Sequence, residues 1–301
     1  MFSRRHPFLF FVLVLVSITA FALVGMTALF FGGSVFIKSA VSSAVSSPSD
    51  GNVGVVELTG VIVSSKKIIE QIKSFRENRS IKAIVLRVNS PGGGVGPSQE
   101  IYREIIKTRK IKKVVASLGA VAASGGYYAA SAADGIMADP GTITGSIGVI
   151  MEYANFQEIM KKIGLDSVVI KSGKFKDIGS PVRPLKEDEK KILQNVTDEI
   201  HLQFIRDVAK GRKIDVSRIA QLADGRIYTG EKAKSLGLVD KLGNLDDAIE
   251  WAGKMGGVKG KIKAVYPRKG GINSLRSLFE SLFKNAYISG AIPDYFRYII
   301  H

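Results

Sequence analysis

Between Pro7 and Ile37 the chain carries no charged side chain, and the run FLFFVLVLVSITAFALVGMTALFF fills Phe8 to Phe31. No other feature limits the possible folds as much. About 20 apolar residues span a bilayer core, so this stretch is long enough to cross with some tilt. Arg4 and Arg5 precede it and only Lys38 lies just beyond, which by the positive-inside rule puts the N-terminus in the cytoplasm and the rest of the chain outside. The alternative is a cleaved secretory signal ending at Ala20-Phe21-Ala22. A signal's apolar region is about 7 to 15 residues, and here the run continues past that triplet. The reading is a cytoplasmic N-terminus at 1–7, a transmembrane anchor at 8–37 and a flexible linker at 38–52, the last overlapping the Ser-rich stretch SAVSSAVSSPSDGNVG at 39–54.

Residues 53–258 then read as one exported domain, and 259–301 as a C-terminal extension. The domain alternates strand-like and helical segments. Val53–Val63 is β-branched, Ser65–Arg79 has apolar residues at helical spacing, Ile81–Val88 is a buried-type strand, Pro97–Lys110 a helix and Val114–Leu118 a strand. Gly135–Ala138, Ser146–Ile150 and Ser167–Ile170 follow as short strands, with a helix at Phe156–Ile163. A long helix is expected over Leu185–Gly211, with Glu187, Asp188 and Glu189 in its first turn, as the helix dipole favours. Val216–Leu222, Glu231–Leu236 and Leu245–Lys254 complete the helices. Strands recurring between helices about every 30 residues indicate βαβ units and a parallel sheet covered by helices, an α/β fold. In the extension, Leu275, Leu278, Phe279, Leu282, Phe283 and Tyr287 recur at helical spacing, which suits packing on the domain or a partner, or an amphipathic helix on a bilayer.

Composition restricts the chemistry. There is no cysteine among the 301 residues, which removes disulfides, thiolate metal sites and cysteine nucleophiles. The three histidines are His6, His201 and His301. Two lie near the chain ends and His201 falls inside the long helix, so a Ser-His-Asp arrangement has no evident base. The 43 basic residues exceed the 27 acidic ones, a net +16. They are interspersed with acids and form no aromatic-interleaved basic stripe, so nucleic acid is not the expected partner; attraction to anionic headgroups or an ordinary solvated surface both account for the charge.

Three Gly-rich spots each follow a predicted strand. Asn89-Ser90-Pro91-Gly92-Gly93-Gly94 lacks the sixth-position glycine of a dinucleotide loop, which is Pro97 here, and lacks the Gly-Lys-Ser/Thr of a phosphate loop. It is an oxyanion hole or a plain turn. Ala122-Ala123-Ser124-Gly125-Gly126 places a serine between small residues on a strand-to-helix turn. That suits a nucleophile elbow or a helix N-cap. Thr144-Gly145-Ser146-Ile147-Gly148 is the third. A serine nucleophile without histidine needs another base, and a desolvated lysine can serve; nothing in the pattern selects one lysine from the many.

Five segments in order resemble the signal peptide peptidase A (protease IV) family of membrane-bound serine peptidases: Asn89–Gly93, Ala122–Tyr128, Thr144–Val149, Lys176–Pro181 (KDIGSP) and Gly225–Gly243. The likeness covers about residues 53–255. It implies a crotonase-like and Clp-protease-like α/β spiral, in a half-length form with one catalytic unit. It implies Ser124 as nucleophile, Lys176 as general base, Ser146 orienting that lysine, and backbone N–H groups of Gly93 and Gly125 as the oxyanion hole. No cofactor is expected. The resemblance further implies peptide substrates such as remnant signal peptides, at the outer face of a bacterial cytoplasmic membrane. It also implies a ring-shaped, octamer-like homo-oligomer whose serine and lysine come from neighbouring protomers. Two rival functions remain: an acyl-CoA hydratase or thioesterase of the same fold, and a non-catalytic membrane scaffold.

Overall fold

The computed structural model describes residues 51–267. The expected anchor, most of the linker and most of the extension lie outside the described residues; among those described, no helix is long and apolar enough to cross a membrane.

The sheet begins with β1 (Val53–Thr59), β2 (Ala83–Ser90) and β3 (Lys113–Ala123), joined by α1 (Lys66–Glu77) and α2 (Val95–Thr108). These strands are parallel, with Val55 opposite Val85 and Val85 opposite Val115. Each is apolar on both sides, as strands buried on both faces of a sheet must be. Val56, Leu58, Ile84, Leu86, Val88 and Leu118 share one core with Ile68, Ile72 and Phe75 of α1 and with Ile101 and Ile105 of α2. Val53, Val55, Ala83, Val85 and Val115 face the other way, against Ala248, Ile249 and Ala252 of α8 (Leu245–Met255). Packing outweighs capping in α1. No side chain caps its N-terminus, a contribution of about 1 kcal/mol elsewhere, whereas each of its three buried apolar residues is worth roughly 1.5–3 kcal/mol.

β3 is long enough to hold two neighbours on one edge. Its first half pairs with β4 (Gly135–Ala138) and its second half with β5 (Ile143–Gly145), both parallel, after α3 (Gly125–Ser131) has crossed over. β5 pairs antiparallel with β6 (Ile227–Thr229), so the sheet is mixed rather than wholly parallel. Two-residue strands β7 (Lys241–Leu242) and β8 (Ala264–Val265) flank β4 and β1. The stretch after residue 258 thus contributes an edge strand.

Between β5 and β6 lie the short α4 (Gln157–Lys162), the 26-residue α5 (Glu187–Arg212) and α6 (Val216–Leu222), and α7 (Gly230–Ser235) follows β6. α5 packs through its C-terminal half, where Phe204, Ile205, Val208 and Ala209 are buried; in its N-terminal half only Glu189 is.

Two expected strands are corrected. The strand placed at Ser146–Ile150 lies earlier, at Ile143–Gly145, because Gly145 (φ 82) and Ser146 (φ 50) turn the backbone out of the extended region. Ser167–Ile170 forms no strand: Val168 is 85% exposed and Ile170 97%. Its β-branched composition has no neighbouring strand in the described chain to pair its backbone.

Candidate active site

The C-terminal ends of β2, β3 and β5 converge, the place where open α/β sheets bind ligands. Ser124 sits on the tight turn from β3 into α3, with φ 51 and ψ −123, a conformation that costs a non-glycine residue about 1–3 kcal/mol. Neighbours on both sides hold it there. Its N–H donates to the Gly145 carbonyl at 2.9 Å, its carbonyl accepts from Tyr128 N at 2.8 Å, and all seven residues of α3 are buried. The Ser124 hydroxyl makes no capping bond. The side chain occupies the N-cap position without doing the work of an N-cap.

The Asn89–Gly94 loop lies directly against this turn. Ile62 forms an isolated parallel bridge with Gly93: its N–H donates to Gly92 O and its carbonyl accepts from Gly94 N, both at 2.8 Å. Such a bridge leaves the N–H of Gly93 itself facing away from Ile62. A Cβ added to Gly125 would lie 3.3 Å from Gly93 N, and one on Gly92 would lie 2.8 Å from both Gly125 N and the Ser124 Cβ. Neither Gly93 N–H nor Gly125 N–H has a backbone acceptor among the described residues. Two unpaired amides beside a free hydroxyl are the elements that can hold a developing oxyanion.

Gly93 has φ 154, and a Cβ there would fall 2.5 Å from Ile62 N. Gly93→Ala is therefore expected to push the loop off Ile62 and to lower kcat by roughly 10²- to 10³-fold, the scale of losing one oxyanion donor. Steady-state peptide hydrolysis, with a melting curve to show a folded domain, checks this.

Two supporting residues carry no clear sequence signal. Ser90, fully buried, donates to Gly60 O at 2.6 Å and accepts from Gly92 N at 3.1 Å. Ser98, also fully buried, donates to Gly94 O at 2.8 Å. Ser90 lies inside a motif that reads as glycines; Ser98 looks like any helix serine.

Ser146 follows β5 as Ser124 follows β3, since Ala123 is opposite Gly145 in register. Its N–H donates to Arg226 O at 2.8 Å, and the next carbonyl, Ile147 O, accepts from Gly225 N at 3.2 Å. His201 Nε2 also lies 3.2 Å from Ile147 O, so the tautomer protonated on Nε2 donates there. His201 lies inside the long helix, as expected from the sequence, and makes a polar contact with the Ser146 loop. The structure thus assembles four of the five motif regions: Asn89–Gly94, Ala122–Tyr128, Thr144–Gly148 and Gly225–Thr229.

Lys176 stands apart from them. It is exposed, in a stretch of successive turns closed by Lys176 N to Gly173 O at 3.3 Å, Ile178 N to Phe175 O and Ser180 N to Asp177 O, the last two at 3.1 Å. No hydrogen bond joins its amine to Ser124 or Ser146 within the described chain. Ion pairs tie its neighbours to the start of α5: Asp177 to Lys171 and Arg183, Arg183 to Glu189, and Lys174 to Asp188. Hydrogen bonds from Arg183, and secondarily Lys171, hold the Asp177 carboxyl well below its ordinary 3.8, and Arg183 likewise lowers Glu189 from 4.5.

Carboxyls lowered by folding stabilise the folded segment above their ordinary values, and that contribution is lost as pH falls through the lowered ones. Below about pH 4 the 171–183 segment is expected to loosen before the apolar cores do. Amide exchange or proteolytic nicking around Lys174 and Lys176, against far-UV dichroism of the whole domain, reads the difference.

Among the described residues no group of three or more His, Asp or Glu side chains is placed to hold a metal ion. Residues 57–142 match the sequence profile of Clp protease, and the domain is a Clp-protease-like α/β fold with a mixed sheet; the peptidase-family match and the relatives that follow make the protein a protease. Residues 106–259, just over half of the chain, match that of peptidase family S49. The chain belongs to peptidase family S49, the signal peptide peptidase A (protease IV) family. It is 44% identical to a candidate protease of Synechocystis sp. over 205 residues, 67% of this chain and 74% of that one. It is 39% identical to a candidate signal peptide peptidase SppA of Enterococcus faecium over 186 residues (62% and 54%). It is 37% identical to the chloroplastic serine protease SPPA of Arabidopsis thaliana over 197 residues (65% and 29%). The chain thus spans about half of the second relative and under a third of the third.

Proposed function

We propose that this chain is a membrane-anchored serine endopeptidase that uses a Ser124/Lys176 dyad to degrade cleaved signal peptides and other apolar peptides at the outer face of the cytoplasmic membrane. The observation that carries the proposal is Ser124: a strained, uncapped hydroxyl beside the unpaired amides of Gly93 and Gly125.

In the proposed reaction the neutral amine of Lys176 takes the hydroxyl proton as Ser124 Oγ attacks the scissile carbonyl carbon. The carbonyl oxygen becomes an oxyanion between the Gly93 and Gly125 N–H groups. The C–N bond then breaks, the leaving amine takes the proton from Lys176, and an acyl-enzyme remains on Ser124. A water deprotonated by the same lysine hydrolyses the ester and restores Ser124, with Ser146 orienting the amine.

A lysine base has to be neutral, which burial favours, yet in the single chain Lys176 is exposed. A second copy supplies the burial. Val168 (85% exposed) and Ile170 (97%), which precede the lysine segment in the chain, leave apolar side chains open to solvent, of the kind that marks protein contacts. The protein therefore works as an octamer-like ring in which Lys176 of one copy serves Ser124 of the next. The anchor at 8–37 and the linker at 38–52 hold the site where membrane-derived peptides are released.

A serine-directed fluorophosphonate tests the nucleophile. A single adduct on Ser124 is expected, and an active preparation that takes no label at Ser124 overturns the proposal.

A further inference from the structure

All five N–H bonds of the Arg183 guanidinium have acceptors. Nε donates to Asp177 Oδ2 at 2.8 Å. One terminal nitrogen donates to Glu189 Oε2 at 2.8 Å and to Pro184 O at 3.0 Å. The other donates to Glu189 Oε1 at 2.6 Å and to the Asp177 carbonyl at 3.0 Å. Glu189 is nearly fully buried in the first turn of α5 and also accepts from Lys186 N at 3.1 Å. Arg183 therefore grips both the side chain and the backbone of the residue next to Lys176, and fastens them to a helix. Apolar packing offers no substitute, because no residue of 171–181 is buried and Phe175 is 37% exposed.

The same contacts engage three carboxylates. Asp177 is paired with Arg183 and Lys171, Glu189 with Arg183, and Asp188 with Lys174. Asp177, next to Lys176 in the chain, is thus engaged by two other cations, while Glu187 in the first turn of α5 makes no ion pair among the described residues.

We propose that Arg183 is the positioning residue for Lys176: it pins the backbone that carries the base and withholds Asp177 from the lysine amine. This rests on the reading of Lys176 as general base. Lysine cannot replace the arginine, because a point ammonium does not reproduce a planar fork with five donors. A glutamine there leaves Asp177 paired with Lys171 alone, and a less neutralised carboxylate beside Lys176 favours the protonated ammonium.

The test uses the full-length chain with Arg183→Lys, Arg183→Gln and Asp177→Asn, each alone and combined with Lys176→Ala. Arg183→Lys and Arg183→Gln are expected to lower kcat about 10- to 100-fold, the scale of a misplaced catalytic group, with KM within about twofold. In Arg183→Gln the acid limb of the pH–rate profile moves to higher pH. On the Lys176→Ala background neither Arg183 change costs further activity. Asp177→Asn leaves the Arg183–Glu189 fork in place and shows the same kcat–KM split, even where Arg183 variants fail to accumulate as folded protein. Arg183→Lys with parental kcat beside an inactive Lys176→Ala overturns the inference alone. So does an equal fractional loss with and without Lys176. Full activity in Lys176→Ala overturns the dyad, and this inference with it.

Discussion

Ser124→Ala is expected to lower kcat for peptide cleavage by about 10⁴- to 10⁶-fold, the range seen when a hydrolase loses its nucleophile, and to abolish labelling by a serine-directed probe. The structure separates this loss from any loss of stability. A capping serine changed to alanine costs about 1 kcal/mol, but Ser124 makes no capping bond, so that contribution is absent here. Serine and alanine both carry a Cβ, so the strain at φ 51 is the same in each. The variant's melting temperature should therefore stay close to the parent's. A matched loss of activity and stability would instead return Ser124 to a structural role. Ser124→Gly sharpens the contrast: relieving the positive φ should raise stability while activity stays lost.

The parts of the fold that were legible in the sequence are those whose pattern is set by burial. β2 is apolar on both faces and α5 carries acids in its first turn, so strand, helix and their approximate ends follow from Ile81–Val88 and Leu185–Gly211. The illegible parts depend on a partner. Ser167–Ile170 has strand composition and no strand to pair with; Lys241–Leu242 and Ala264–Val265 are strands only because β4 and β1 accept them. The site divides in the same way. Ser124, Gly93 and Gly125 lie in compact Gly-rich motifs, and the structure brings those motifs into contact. Ser98 and His201 lie in ordinary helix sequence and reach the site only through tertiary packing. Arg183 is one basic residue among many in the sequence, and its five acceptors come together only in the folded chain.

Lys176→Ala should be as silent as a lost general base allows, about 10²- to 10⁴-fold down, but the more telling result comes from mixing two dead chains. Glu189, which anchors the lysine segment through Arg183, and His201, which touches the Ser146 loop, are 12 residues apart on α5, about 18 Å along the helix axis. The helix position that anchors the lysine segment and the one that meets the Ser146 loop are thus well separated within one copy. If the dyad forms between neighbours, co-assembled Ser124→Ala and Lys176→Ala chains contain contacts in which an intact serine meets an intact lysine. Random arrangement in a cyclic assembly makes about one quarter of the sites whole, so two inactive variants should together recover up to about a quarter of parental activity. A dyad formed within one chain recovers nothing, because every copy then lacks one partner of its own site. Mixed assemblies that form, demonstrated by co-purification of two differently tagged variants, and remain inactive would place both residues in a single chain. Recovery also has to vanish when both substitutions are carried on the same chain, since no copy can then supply either group.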